Sequence, residues 1–155
     1  MTKRWRLRVA TSVGAVLWVT ATTSLIRASQ ASASRQPSTT VWAGVYTTEQ
    51  ASRGRRAYTK SCSRCHRDDL RGSDKGLPLI GSSFFDHWQD LSLPGLILHI
   101  RTAMPHDHAV FISPADARDI ASFLLQANGA PAGGAELPDD VAKLGQIVIT
   151  RPPPK

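Results

Sequence analysis

The chain has little of what builds crosslinked or metal-stapled folds. Its 155 residues include only two cysteines and two methionines, one of the latter being the initiator. A structural zinc site needs a fourth ligand and usually a second closely spaced cysteine pair, and the chain has no second pair. Strand-like alternation is also scarce. Apart from a short run over residues 146–149, no segment shows the period-two pattern of a half-buried strand, which counts against the βαβ setting of a thioredoxin-like dithiol. No internal repeat is visible, so a solenoid is not expected. Charge excess is missing too once the amino-terminal segment is set aside. The formal net charge is +7, but 5 of the 19 Lys and Arg lie within the first 33 residues, leaving 14 basic against 12 acidic groups. That balance gives no general polyanion-binding role, and no nucleic-acid partner is expected.

The two cysteines stand in Cys62-Ser63-Arg64-Cys65-His66. Two thiols three residues apart followed at once by a histidine are the attachment sequence of a c-type haem. The chemistry uses each residue: Cys62 and Cys65 form thioethers to the porphyrin vinyl groups, and the adjoining His66 imidazole is held beneath the iron as an axial ligand. Both cysteines are then used, and no disulfide framework remains. The dithiol and zinc readings stay as rivals, each without its usual setting.

The start of the chain reads as an export signal. Lys3, Arg4, Arg6 and Arg8 form a positive flank, residues 13–19 are the most apolar block, and Ala31-Ser32-Ala33 supplies a small-residue cleavage pattern. The rival is a retained anchor, but Thr11, Ser12, Thr20, Thr22, Thr23 and Ser24 dilute the apolar stretch. Either outcome puts the rest outside the cytoplasm, periplasmic or otherwise exported, with membrane contact only if the segment is retained. The expected layout is a signal peptide over 1–33, a linker and entry segment over 34–46, one domain over 47–130, and a carboxy-terminal strap with a Pro-rich tail over 131–155.

Helical signals dominate the domain. Thr47 can cap a helix running to about Lys60, with Gln50 completing a capping box. Ser92 can cap a helix over residues 93–101, with a shorter turn over 82–89 before it. Ser113 can cap a last helix, with Pro114 at its first position and Asp116 as a favourable first-turn anion, ending near Asn128-Gly129. Ala117, Ile120, Ala121 and Leu124 give that helix one apolar face, widened by Phe123. Pro138-Asp139-Asp140 could start one further turn. The expected fold is all-α.

With these elements and the attachment motif between them, the chain resembles class I cytochrome c over residues 41–130. The resemblance implies three to five helices wrapped around one covalently attached haem. It implies a close crossing of the first and last helices, for which Gly54 and Tyr58 fit against Ile120 and Phe123. It also points to Met104 as the sixth iron ligand. Met104 lies 38 residues after His66 and is followed by Pro105, as in the Met-Pro loop of that family. A thioether raises the reduction potential and suits an electron carrier. His106 and His108 are the competing ligands, while His87 and His99 are expected to be surface or core residues. The resemblance further implies a proline carbonyl accepting from the proximal imidazole, a role that Pro78 could fill or leave for a simple turn. Trp88 and Arg101 are placed near the haem face or propionates.

Val45-Tyr46-Thr47, Gln50-Ala51 and Arg53-Gly54 before the motif are similar to small exported cytochromes associated with quinoprotein dehydrogenases. The function so implied is single-electron transfer among redox partner proteins, from a periplasmic quinoprotein dehydrogenase to a respiratory acceptor, rather than enzymatic catalysis. The alternative is a haem enzyme or gas-sensing module with a labile sixth ligand. Arg53, Arg55, Arg56, Lys60, Arg64, Arg67 and Arg71 cluster in sequence around the attachment motif, either as a solvated helix face or as a docking patch for an acidic partner.

Overall fold

A computed structural model describes residues 38–107 and 110–154. The expected signal peptide, the start of the linker and His108 lie outside the described residues. From the amino end the elements are β1 (Thr39–Thr40), a short helical turn (Val41–Ala43), α1 (Thr48–Ser61), α2 (Ser63–His66), α3 (Ser82–Trp88), α4 (Leu93–Ala103), α5 (Pro114–Ala127), α6 (Val141–Leu144) and β2 (Ile147–Val148). Among the described residues the fold is all-α, as expected, with one small two-stranded pairing.

The two long helices start where side chains satisfy their free N–H groups. Thr47 is extended and its hydroxyl accepts from the Gln50 N–H at 3.1 Å. Ser113 accepts from the Asp116 N–H at 3.0 Å, with Pro114 preset for the first turn. The buried face of α5 includes Ala117, Ile120, Ala121, Leu124 and Phe123. It packs on α1 so closely that a Cβ placed on Gly54 would lie 1.8 Å from the Asp119 carbonyl oxygen. One turn further, the Tyr58 and Phe123 rings meet with centroids 5.3 Å apart. Arg53 bonds both Asp119, at 2.8 and 3.1 Å, and Glu136, at 2.9 and 2.8 Å, tying the crossing to the carboxy-terminal segment.

Two capping expectations need correction. Gln50 does not close a capping box. Its side chain is 1% exposed and its Oε1 accepts from the Leu137 N–H at 2.8 Å, a partner 87 residues away. Ser92 precedes α4 but makes no side-chain cap, and its backbone bridges to Val148 instead.

The carboxy-terminal segment wraps the domain. The Tyr46 hydroxyl donates to the Ala130 carbonyl, and the Gly133 N–H donates to the Tyr46 carbonyl at 2.7 Å. Asp140 caps α6, accepting from the Ala142 and Lys143 N–H groups. β2 then pairs in parallel with β1, Thr39 opposite Ile147. Ile149 and Thr150 follow, the first exchanging bonds with Leu91 and Asp90 and the second accepting from the Trp42 indole at 3.0 Å. Arg151 ends the wrap on Asp86 and Gln89.

Thr39 and Thr40, the end of the expected Ser- and Thr-rich linker, are therefore part of the fold, and the entry segment behind them is held by buried residues. Val41 and Tyr46 are 1% and 0% exposed. Burying side chains of this size stabilises by roughly 1.5–3 kcal/mol each, which offsets the ordering of the Thr39 and Thr40 backbone just ahead of them.

Two measurements check this packing. Gly54→Ala should destabilise the holoprotein in urea by about 3 kcal/mol, because backbone opposes the new methyl group and must shift. Gly95→Ala on α4, with open space around it, should stabilise by about 0.5–1 kcal/mol. Hydrogen exchange should be slow at the Ile149 amide, which is bonded to Leu91 and buried; rapid exchange over residues 146–149 would mean that the wrap is not held.

Candidate functional site

The attachment motif sits where α1 stops. Cys62 donates its N–H to the Tyr58 carbonyl at 2.8 Å, then serves as the cap of α2 by accepting from the Cys65 and His66 N–H groups at 3.1 and 3.0 Å. One short turn thus carries both thiols and the imidazole. Arg67 leaves the turn at φ 64°, and the Tyr58 hydroxyl fastens it by donating to the Arg67 carbonyl at 2.7 Å. The crossing residue Tyr58 therefore also fixes the exit from the motif. Both thiols are free and half-buried. Before attachment, burial, followed by the neighbouring Cys65, pushes the Cys62 thiol up to about 11.

The loop after the motif folds back onto the His66 ring. Ser73 donates its hydroxyl to the Cys65 carbonyl at 2.6 Å, and the Ser73 N–H donates to the Gly76 carbonyl at 2.8 Å. The His66 Nδ1 lies 2.7 Å from the Leu77 carbonyl oxygen. With its proton on Nδ1 the ring leaves Nε2 free for iron. The accepting carbonyl is therefore that of Leu77, not that of Pro78, whose own carbonyl accepts from the Ser83 hydroxyl at 3.0 Å. Pro78 still contributes, since the residue before a proline is restricted to extended backbone and Leu77 is that residue. Gly76 leaves no room beside the ring: a Cβ there would lie 3.0 Å from His66 Nδ1, from its Cε1 and from the Cys65 carbonyl oxygen.

The motif opens onto a cavity of about 480 Å³. Its walls are mostly apolar, with Leu79, Phe84, Leu96, Ile100, Ile120 and Leu124 joining the cysteines and His66. Met104, the cap that ends α4 in extended backbone, lines the same cavity, with Pro105 and His106 beside it. The Arg64 guanidinium, from within the motif, pairs with Asp107 and so ties the Met104 loop to the attachment turn. Free thiols, an imidazole with one nitrogen held, a thioether and an apolar slot together fit a covalently bound porphyrin and its iron.

Of the remaining expected residues, Trp88 lines the cavity and Arg101 does not. The buried positions of α4 are Leu93, Leu96 and Ile100, and Arg101, one residue on, is exposed. His87 is an exposed residue and His99 a half-buried one, as expected, and both also line the cavity. His99 shares the face of Leu96 at helical spacing, which was the available signal. Burial, then the charge of His87, holds the His99 imidazole below the usual histidine range.

The family model described as cytochrome c oxidase, cbb3-type, subunit III matches residues 49–124, from the first turn of α1 through most of α5. No curated protein and no solved structure matches the chain. Among the described residues no helix is long and apolar enough to cross a membrane.

Gly76→Ala should rotate or displace the His66 ring. The expected outcome is altered paramagnetic shifts of the ferric protein and a lower yield of holoprotein. Gly134→Ala, with nothing within 4 Å of the new methyl group, should leave both unchanged.

Proposed function

Because this chain belongs to the class I c-type cytochrome family and binds haem c covalently, we propose that it carries single electrons through a haem ligated by His66 and Met104. Bound haem supplies a one-electron couple at iron. The rest is the work of the chain. Cys62 and Cys65 would tether the ring at the end of α1, and the Leu77 carbonyl, which holds His66 Nδ1, leaves Nε2 available to iron. Met104, at the end of α4, would offer its sulfur as the second ligand, and with the mostly apolar walls would favour the ferrous state. Met104 and His66 lining one cavity is the observation that carries this reading.

The partners that suit it are redox proteins. An exported dehydrogenase, quinoprotein among the candidates, would donate, and a respiratory acceptor would receive. Residues 1–33 would direct export to the periplasm, with membrane contact if that segment is retained. Arg55, Arg56, Lys60, Arg67 and Arg71 are exposed, and a partner with an acidic face would meet complementary charge there. No substrate pocket beyond the haem slot is needed for such a role.

His106 beside Met104 gives the second reading a foothold, since an enzyme or gas sensor would use a labile sixth position with a polar neighbour. Spectroscopy separates the two. Wild-type ferric protein should show the weak charge-transfer band of iron bound to a thioether, and Met104→Ala should lose it, acquire a lower midpoint potential and bind carbon monoxide when reduced. Rapid, tight carbon monoxide binding by reduced wild-type protein at neutral pH would favour the sensor or enzyme.

A further inference from the structure

The stretch that holds His66 lacks the packing that holds the rest of the fold. Gly76 has no side chain and the Leu77 side chain is 70% exposed, so burial does not place the Leu77 carbonyl against the imidazole. Polar contacts do. Three consecutive carbonyls, those of Leu77, Pro78 and Leu79, each meet a different side chain: His66 Nδ1 at 2.7 Å, the Ser83 hydroxyl at 3.0 Å and the Asn128 carboxamide at 3.0 Å. The Leu79 N–H also donates to the Leu70 carbonyl at 2.8 Å. Leu77, Pro78, Leu79 and Ser83 all line the cavity, whereas Asn128 does not.

Asn128 ends α5, and in sequence its place before Gly129 marks no more than a helix stop. Its side chain has another use. Oδ1 accepts from the Gly81 N–H at 2.9 Å, while Nδ2 donates to the Leu79 carbonyl, 49 residues away, and to the Leu124 carbonyl at 2.8 Å. Exchanging O and N would set oxygen against two carbonyls, so these partners fix the orientation of the carboxamide. Leu124 belongs to the cavity wall on α5, the helix that Gly54 lets close on α1. One side chain therefore joins that wall to the loop on the histidine side. Upstream, the same loop is bonded to the attachment motif itself, through Ser73 and the Cys65 carbonyl.

We infer that Asn128 is a positioning residue for the axial imidazole. By fixing Leu79 and Gly81 to the end of α5, it sets where the Leu77 carbonyl, two residues upstream, stands against His66 Nδ1. The inference rests on the proposed ligation of iron by His66 and is independent of the sixth ligand. A firm bond from Nδ1–H to the carbonyl makes Nε2 a stronger donor to iron, and stronger donation stabilises the ferric state. Slackening the loop must then weaken that donation and raise the reduction potential. Asn128 thus acts on the redox couple from outside the cavity lining.

The test uses the full-length holoprotein. Asn128→Leu keeps the shape of the side chain, adds no charge and removes all three bonds. In the reduced protein its His66 Nδ1 proton resonance should move upfield and exchange faster with solvent, and the midpoint potential should rise. Asp140→Ala, which removes the cap of α6 on the wrap, controls for general loosening: stability should fall while the proton and the potential stay in place. An unmoved proton in Asn128→Leu would overturn the inference, as would an equal shift in Asp140→Ala. If the leucine variant does not mature, Asn128→Asp decides. It retains an acceptor for Gly81 but puts oxygen opposite the Leu79 and Leu124 carbonyls, so the proton must again move upfield; an unmoved proton there overturns the inference equally. Only the proton is read in that variant, because the added charge shifts the potential by itself. Wild type without a haem-shifted His66 signal would overturn ligation by His66 and this inference with it, whereas an intact wild-type signal that Asn128→Leu does not move overturns the inference alone.

Discussion

Backbone meets backbone where α1 crosses α5, and the site depends on that contact. Gly54 removes the only atom that would hold the helices apart, and Asp119 and Ile120 move into the space. Once they are that close, Ile120 and Leu124 reach the cavity, while Phe123 presses on Tyr58. Tyr58 then does two things. It accepts the Cys62 N–H that ends the helix, and its hydroxyl pins Arg67 at the far side of the motif. A missing side chain on one helix is thereby linked, through one tyrosine, to the orientation of two thiols and an imidazole.

The iron end of the site is built by a different principle, in which local turns provide what packing cannot. α2 is four residues long and has no buried residue of its own, so it is not held by a hydrophobic face. Hydrogen bonds hold it: Cys62 at its start, Arg67 at its end, and the returning loop through Ser73 and Leu77. The loop's fit is close enough that a methyl group at Gly76 would touch both the ring and the backbone of the motif. Such a site is stiff where the imidazole sits and less tied around Met104, whose loop is fastened by the exposed pair Arg64–Asp107.

Features that depend on neighbours in sequence were legible in it. Thr47, Ser113 and Pro114 begin helices by contacts within one turn, and the attachment motif carries its chemistry in five consecutive residues. The apolar spacing of α5 foretold its buried face. Features that depend on distant partners were not. Gln50 looks like half of a capping box, and only the approach of Leu137 turns its side chain elsewhere. Leu77 and Pro78 are equally good acceptors on paper, and the path of the loop chooses between them. The polar composition ahead of Trp42 suggested slack chain until the last residues of the fold came back to pair with Thr39 and Thr40. Arg101 and His99 sit two positions apart on α4, and which of them lines the cavity follows from the side on which α5 packs.

Among the described residues the carboxy-terminal wrap contributes none to the cavity, whose lining ends at Leu124. It meets the end of α3 at Asp86 and Gln89 and places Arg151 above Phe85, whereas Phe84 and Trp88 are buried and line the cavity. Holding and meeting are thus divided between separate parts of the chain. Drift in charge along the exposed positions of the wrap can remodel the outside of the molecule, and with it the company the protein keeps, without changing a residue that lines the cavity.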